Sequence, residues 1–333
     1  MPFEMRTIAL EEHCLTPELR ELLGPQIHPD YPVHRWPPAL EARLLDLGEG
    51  RIAEMDAQGI DMQVLSSVQP GLEHSRPERA IPVARAFNDT VAEAVTAHPD
   101  RFAAFAALPT ADPAAAAEEL GRAVQALGFK GALVNGRTLD RFLDDEFFWP
   151  IFEAAEALEK PIYLHPMPPP KAVYDAYYAG FGDDVGFMLS SPAWGWHIEI
   201  GLHAVRLILA GVFDRFPGLQ IIIGHMGEGI PFMLARIDEV LGGRTALDPA
   251  KTRTELSIKE YFDRNFHLTI SGLFTDAPLR CAIDTFGADK IMFAVDHPFA
   301  DGAEARRFID QAAITDAERE LIAHANAERL LSL

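Results

Sequence analysis

The chain has 333 residues, 48% hydrophobic and 24% charged, with 24 glycines and 25 prolines. That is the balance of a globular chain large enough for one big core, and no apolar run approaches the roughly 18 residues that a membrane helix needs. Lys and Arg total 29 against 50 Asp and Glu, a formal net charge of −21, which repels nucleic acid and anionic membrane surfaces. The same field would repel an anionic small substrate unless a metal ion or a few arginines reverse its sign locally. Two cysteines, Cys14 and Cys281, build no disulfide framework, and Met1-Pro2-Phe3-Glu4 lacks the layout of a signal peptide, so a cytoplasmic location is expected.

Along the chain, short β-rich apolar runs alternate with helical patterns. The first run, 7–10, leads into Glu11-Glu12-His13-Cys14 and then Thr16-Pro17, a helix start. An insertion follows at 25–38, with His28, Pro29, Pro32, His34, Trp36 and Pro37. Ile52, Ala53 and Met55 lie on a helix ending near Gln58-Gly59, before strands at 62–65 and 102–105. Asp112-Pro113 caps an alanine-rich helix through Leu120, Val124 and Leu127 that Gly128 closes. Strands at 131–134 and 161–164 come next. A long insertion at 166–196 then carries Pro166, Pro168, Pro169 and Pro170, followed by Tyr174, Tyr177, Tyr178, Phe181, Phe187, Trp194 and Trp196. The last three strands are at 220–223, 266–270 and 290–295, and Thr315-Asp316-Ala317-Glu318 is a capping box opening the final helix.

Eight strands of continuous apolarity suit a parallel sheet buried on both faces. The expected fold is an α/β (β/α)8 TIM barrel with insertions in the βα loops, as one domain over 1–333. An open doubly wound sheet would call for a glycine fingerprint after the first strand, and Glu11-Glu12-His13-Cys14 is not one.

What ends the strands carries the chemistry. The first runs into Glu11 and His13, which are two apart and so face one side, while Glu12 points away. The fifth ends at His165, the sixth at His225 and the eighth at Asp296. Barrel strands deliver such residues to a shared mouth. Of the twelve histidines, His28, His34, His74, His98 and His324 read as loop or helix-surface residues. His203 reads as a helix-face partner of Glu199, and His267 as packed at the start of its strand. His197 lies on the same helix as His203, and His297 is open to either reading.

Ala9-Leu10-Glu11-Glu12-His13, Tyr163-Leu164-His165-Pro166, Gly224-His225-Met226-Gly227-Glu228-Gly229 and Val295-Asp296-His297-Pro298-Phe299 resemble signature segments of the amidohydrolase superfamily. The branch they resemble is the decarboxylases of 2,3-dihydroxybenzoate and γ-resorcylate, within the group related to aminocarboxymuconate-semialdehyde decarboxylase. Ala106-Ala107-Leu108-Pro109, Gly131-Ala132-Leu133-Val134-Asn135-Gly136 and Asn326-Ala327-Glu328-Arg329-Leu330 extend the likeness over the whole chain.

The resemblance implies that Glu11, His13, His165 and Asp296 hold one divalent metal ion. The fourth strand ends Val134-Asn135-Gly136 with no lysine, which disfavours a binuclear site. Two imidazoles and two carboxylates suit Zn2+ or Mn2+, with Mg2+ wanting fewer imidazoles. It further implies reversible, non-oxidative decarboxylation of a hydroxybenzoic acid, with Asp296 as proton donor. His225 and Glu228, three residues apart across Gly227, would then form a relay that recharges it. Arg236 matches an arginine that reaches a neighbouring subunit's substrate, which implies a homodimer or homotetramer. Trp196 and Pro298 match positions that line the aromatic acid. His297 departs from the aromatic residue usual after that aspartate. The alternative is a hydrolase of a lactone, ester or amide, or a hydratase, on the same barrel.

Overall fold

The first strand, β1 (Ile8–Cys14), pairs in parallel with β2 (Met62–Ser67), which pairs with β3 (Phe102–Ala104). A second run of parallel pairings joins β4 (Ala106–Ala107), β5 (Ala132–Asn135), β6 (Ile162–His165), β7 (Ile221–Ile223), β8 (Phe266–Thr269) and β9 (Ile291–Met292). This computed structural model describes residues 5–24, 36–241 and 254–333, so most of the insertion expected at 25–38, with His28 and His34, lies outside the described residues.

The two runs of strands close into one barrel. β3 and β4 are halves of a single stave interrupted at Phe105, whose N–H donates to the Leu65 carbonyl (2.9 Å) before Ala106 N–H turns to Gly131 (2.9 Å). On the other side Leu10 N–H reaches the Phe293 carbonyl (3.2 Å) and His13 N–H the His297 carbonyl (2.8 Å), joining the extension of β9 to β1. The eight expected strands are therefore the eight staves of a (β/α)8 barrel.

Alternate residues fill its interior. Ile8, Leu10, Val64, Phe105, Leu133, Tyr163 and Ile222 form one buried cluster, while their neighbours Ala9, Leu65, Val134, Leu164 and Ile223 pack outward against the helices. Capping chemistry sets the helix ends as expected. Thr16 and Asp112 cap the helices Pro17–Leu23 and Pro113–Leu127, Gly59 and Gly128 close theirs in the left-handed conformation, and Thr315 opens the last helix with a capping box. The insertion after β6 folds into two short helices, Lys171–Tyr177 and Asp183–Ser190, before the long helix Gly195–Leu209. No helix among the described residues is long and apolar enough to cross a membrane.

Two histidines are structural. His267 is buried, with its Nε2 bonded to Gln220 Oε1 at 3.1 Å. His203 is not a partner of Glu199: its Nε2 accepts the Leu143 N–H (2.9 Å), and Glu199 faces the buried Arg137 guanidinium at 3.3 Å. Helical spacing suggested the pair, but burial directs the imidazole to the nearest unsatisfied backbone donor. Burial pushes both imidazoles down to about 3. Between their unfolded value of about 6.5 and about 3 the unfolded chain takes up protons that the native chain refuses, so native stability falls as pH drops through that window. His267→Gln should flatten that dependence, read as the urea midpoint against pH; an unchanged slope would contradict it.

Candidate metal and acid–base site

One extra residue in β1 sets up the site. Ala9 pairs with Gln63 but Glu12 with Leu65, three residues against two, a bulge that shifts the phase of the strand. Ile8 and Leu10 face the interior, so strict alternation would put Glu12 there too. The bulge turns Glu11 and His13 inward instead and sends Glu12 outward. There Glu12 accepts the Val295 N–H (2.8 Å) and the Gln63 amide (3.0 Å), while buried Arg51 donates to Gln63 Oε1 (2.6 Å) and to the His13 carbonyl (3.0 Å).

Glu11 and His13 meet His165, at the end of β6, and Asp296, beyond β9. One ligand atom from each lies within 4.8 Å of the others. His165 Nε2 is 3.3 Å from Glu11 Oε1, and His13 Nε2 is 3.3 Å from Asp296 Oδ1. The His13 and His165 rings meet edge to face at 4.6 Å. Glu11 Oε1 and His13 Nε2 are buried and have no hydrogen-bond partner, a costly state for an oxygen and a nitrogen that converge with two further ligand atoms. These donors fit a single divalent cation of the Zn2+ or Mn2+ kind.

A polar layer beneath fixes the ligands. The Tyr163 hydroxyl donates to Glu11 Oε2 and lies 2.8 Å from Thr269 Oγ1, which in turn lies 3.1 Å from Ser271 Oγ. A Cβ at Gly224 would come within 2.8 Å of Glu11 Oε2, so this approach requires glycine. Burial pushes the Glu11 carboxyl up, but the imidazoles of His225, His165 and His13 outweigh it and hold the group below the usual carboxylate range.

Beside this cluster stands a buried imidazole–carboxylate pair. The turn after β7 runs through positive φ at His225, Met226, Gly227, Glu228 and Gly229. It puts His225 Nδ1 2.8 Å from Glu228 Oε1, with His225 Nε2 facing Glu11 Oε1 (3.7 Å) and Asp296 Oδ2 (3.9 Å). Burial would lower the His225 imidazole, yet the Glu228 and Glu11 carboxylates hold it well above its ordinary value. Burial would raise Glu228, and His225 with His197 pulls it down to about 2.

Of the other residues singled out in the sequence, Trp196 lies with its ring 6.3 Å from that of His165, its indole N–H buried and without a partner. Pro298 is buried after a cis peptide bond, its carbonyl accepting from Arg43 (3.0 Å), and Phe299 next to it stands 5.9 Å from His13. Arg236 is apart from the ligands, 69% exposed and paired with Glu239 at 3.0 Å. His297 points away from the mouth, buried with its Nδ1 3.8 Å from Glu54 Oε1. Sequence reasoning missed His197, whose Nδ1 is 2.5 Å from Glu228 Oε2, and Tyr163. It also missed Asn135, paired in register with His165 and buried with both side-chain polar atoms unpartnered. For Tyr163 and Asn135 a signal existed: each shares the strand parity of an inward residue.

A sequence profile described as amidohydrolase matches residues 29–333. The chain is 40% identical over 339 residues to a γ-resorcylate decarboxylase of Polaromonas sp., covering 98% of each. It superposes at a TM-score of 0.87, with 38% identity and 99% and 97% coverage, on a dihydroxybenzoic acid decarboxylase of Polaromonas sp. solved with manganese and the inhibitor 2-nitroresorcinol. For a 5-carboxyvanillate decarboxylase of Sphingomonas paucimobilis the TM-score is 0.90, the identity 37%, and the coverage 99% and 100%.

Tyr163→Phe removes the hydroxyl that orients Glu11. It should weaken Mn2+ binding by about 10–100-fold with the barrel intact by circular dichroism. Isothermal titration of the metal-free protein measures this, and an unchanged dissociation constant would show that Glu11 needs no such support.

Proposed function

The chain belongs to the amidohydrolase family, and from that premise we propose that it is a metal-dependent, non-oxidative decarboxylase of a hydroxybenzoic acid, acting reversibly. The observation that carries this reading is the four-ligand cluster of Glu11, His13, His165 and Asp296 with a buried, carboxylate-backed imidazole facing it. The full-length likeness to aromatic acid decarboxylases supports it.

Glu11, His13, His165 and Asp296 would hold one Mn2+ or Zn2+ ion. When bound, the ion supplies positive charge that draws an aromatic carboxylate and its ortho hydroxyl to an otherwise acidic protein. Trp196, Phe299 and the turn at Pro298 flank the ring. Asp296 gives its proton to the ring carbon that bears the carboxylate. The bond to the carboxylate then breaks, its electron pair returns to the ring, and CO2 leaves. Asp296 is left as a carboxylate, and the His225 Nε2–H facing Asp296 Oδ2 restores its proton. Glu228 holds the His225 ring for that transfer through Nδ1.

The protein assembles as a homodimer or homotetramer. Tyr177, Phe181, Met188 and Trp194 of the insertion, and Phe232 and Met233 near Arg236, are large apolar side chains left exposed on one chain. Arg236, free of its own chain's site, then serves the substrate of a neighbour.

The donor role separates cleanly from the ligand role. Asp296→Asn should remain about 10²–10⁴-fold slower even when fully loaded with metal, because an amide does not donate as a carboxylic acid does. Deuterium incorporation at the former carboxylate carbon, followed with a panel of hydroxybenzoates, reads this directly. Wild-type rates in the metallated variant would refute the donor assignment, and hydrolysis of a lactone in place of CO2 release would refute the decarboxylase reading. Light scattering should give a multiple of the chain mass, and a fully active monomer would remove the role for Arg236.

A further inference from the structure

His197 stands in the first turn of the helix Gly195–Leu209, directly after the aromatic insertion. Its Nδ1 lies 2.5 Å from Glu228 Oε2 and its Nε2 3.0 Å from the carbonyl oxygen of Pro192. A carbonyl oxygen carries no proton, so Nε2–H donates to Pro192. Glu228 is flanked by donors on both oxygens and accepts as a carboxylate. Both nitrogens of His197 therefore donate, and the ring is an imidazolium in this arrangement. The groups that face it are Glu228 and His225, both from the turn after β7, with the Pro192 carbonyl contributed by the insertion; the two imidazole rings lie 5.1 Å apart.

The consequence is geometric. Glu228 is fully buried and takes one bond on each oxygen, from His225 Nδ1 at 2.8 Å and from His197. A carboxylate held by one bond rotates about it, whereas a carboxylate held by two opposed donors does not. We propose that His197 is a positioning residue for the acid–base pair: it locks the Glu228 carboxylate, and through it the His225 ring, while fastening both to the aromatic insertion at Pro192. The inference rests on the reading of His225 as the group that recharges Asp296. Of the three residues, His197 has the most exposed side chain, 22% against 7% for His225 and none for Glu228, so it is the link between the buried pair and the insertion outside it. Loss of its proton removes one of the two bonds, since neither acceptor has a proton to give. The insertion and the buried pair are then uncoupled.

The test uses the full-length metal-loaded protein with His197→Gln and His197→Phe. In the zinc-loaded wild type, histidine-labelled NMR should show a ring with both N–H groups that disappears in either variant. With manganese loaded and the fastest acid of a hydroxybenzoate panel, His197→Gln should lose about 10–100-fold in kcat. Its KM and its affinity for Mn2+ should not change. A His197 ring that lacks one of its two N–H groups overturns the proposal, as does a His197→Phe enzyme with wild-type kcat. A loss of kcat that tracks loss of metal also overturns it. The NMR reading stands if a variant fails to fold, and it needs no turnover. Absence of CO2 release from every acid would therefore sink the proposed function while leaving the charge of His197 decided.

Discussion

A single extra residue in β1 governs where the chemistry can happen. Ile8 and Leu10 belong to the barrel interior, and a regular strand would carry that parity on to Glu12 and Cys14. The slip between Ala9 and Glu12 exchanges the two faces, so that Glu11 and His13 arrive at the mouth. The displaced Glu12 is used in turn, because its two oxygens tie the backbone of Val295 to Gln63, and Arg51 behind them holds the carbonyl of His13. Asp296 follows Val295 directly. The feature that aims Glu11 and His13 from β1 thus also fixes the backbone on either side of the barrel seam, where Asp296 begins.

The electrostatics of the site follow from that geometry. Glu11 is fully buried, and burial alone would favour its neutral form. Three imidazoles and the Tyr163 hydroxyl keep it ionised, but they also leave Oε1 aimed into a space shared with His13, His165 and Asp296 and without a donor of its own. In the proposed reading, opposite charge from a divalent cation would resolve this, and in a chain of net charge −21 it would also give an anionic aromatic substrate a reason to enter. On that reading, stability of the cluster and attraction of substrate would both follow from one charge.

Residues that announce themselves through strand position were legible in the sequence. His165 and Asp296 end apolar runs, and Glu11 and His13 share a parity, so the sequence pairs them at the mouth, although the bulge that turns that parity inward left no mark in it. Tyr163 obeyed the same parity two residues before His165, but a tyrosine in a strand reads as core, and its hydroxyl contact to Glu11 exists only across the closed barrel. His197 was beyond reach of any pattern. It sits on a helix surface whose partner, Glu228, is contributed by a different βα unit, and the contact depends on how the insertion before it folds. The pairing of His203 with Glu199 failed for a related reason: i, i+4 spacing shows which side chains are neighbours, not which buried donor needs an acceptor more.

The turn that presents His225 shows what bringing its ring to Glu228 costs. Five successive residues, His225 to Gly229, hold positive φ, and three of them are not glycine. Left-handed backbone is unfavourable for such residues by about 1–2 kcal/mol each. A relaxed turn would avoid the cost, but it would also separate side chains three residues apart in sequence that here meet at 2.8 Å. The strain is retained because the surroundings over-determine it. Ser271 receives the His225 N–H, and Glu228 is anchored on both oxygens. Removing either anchor frees the backbone to relax, and the first thing a relaxed turn gives up is the direction in which His225 Nε2 faces Asp296.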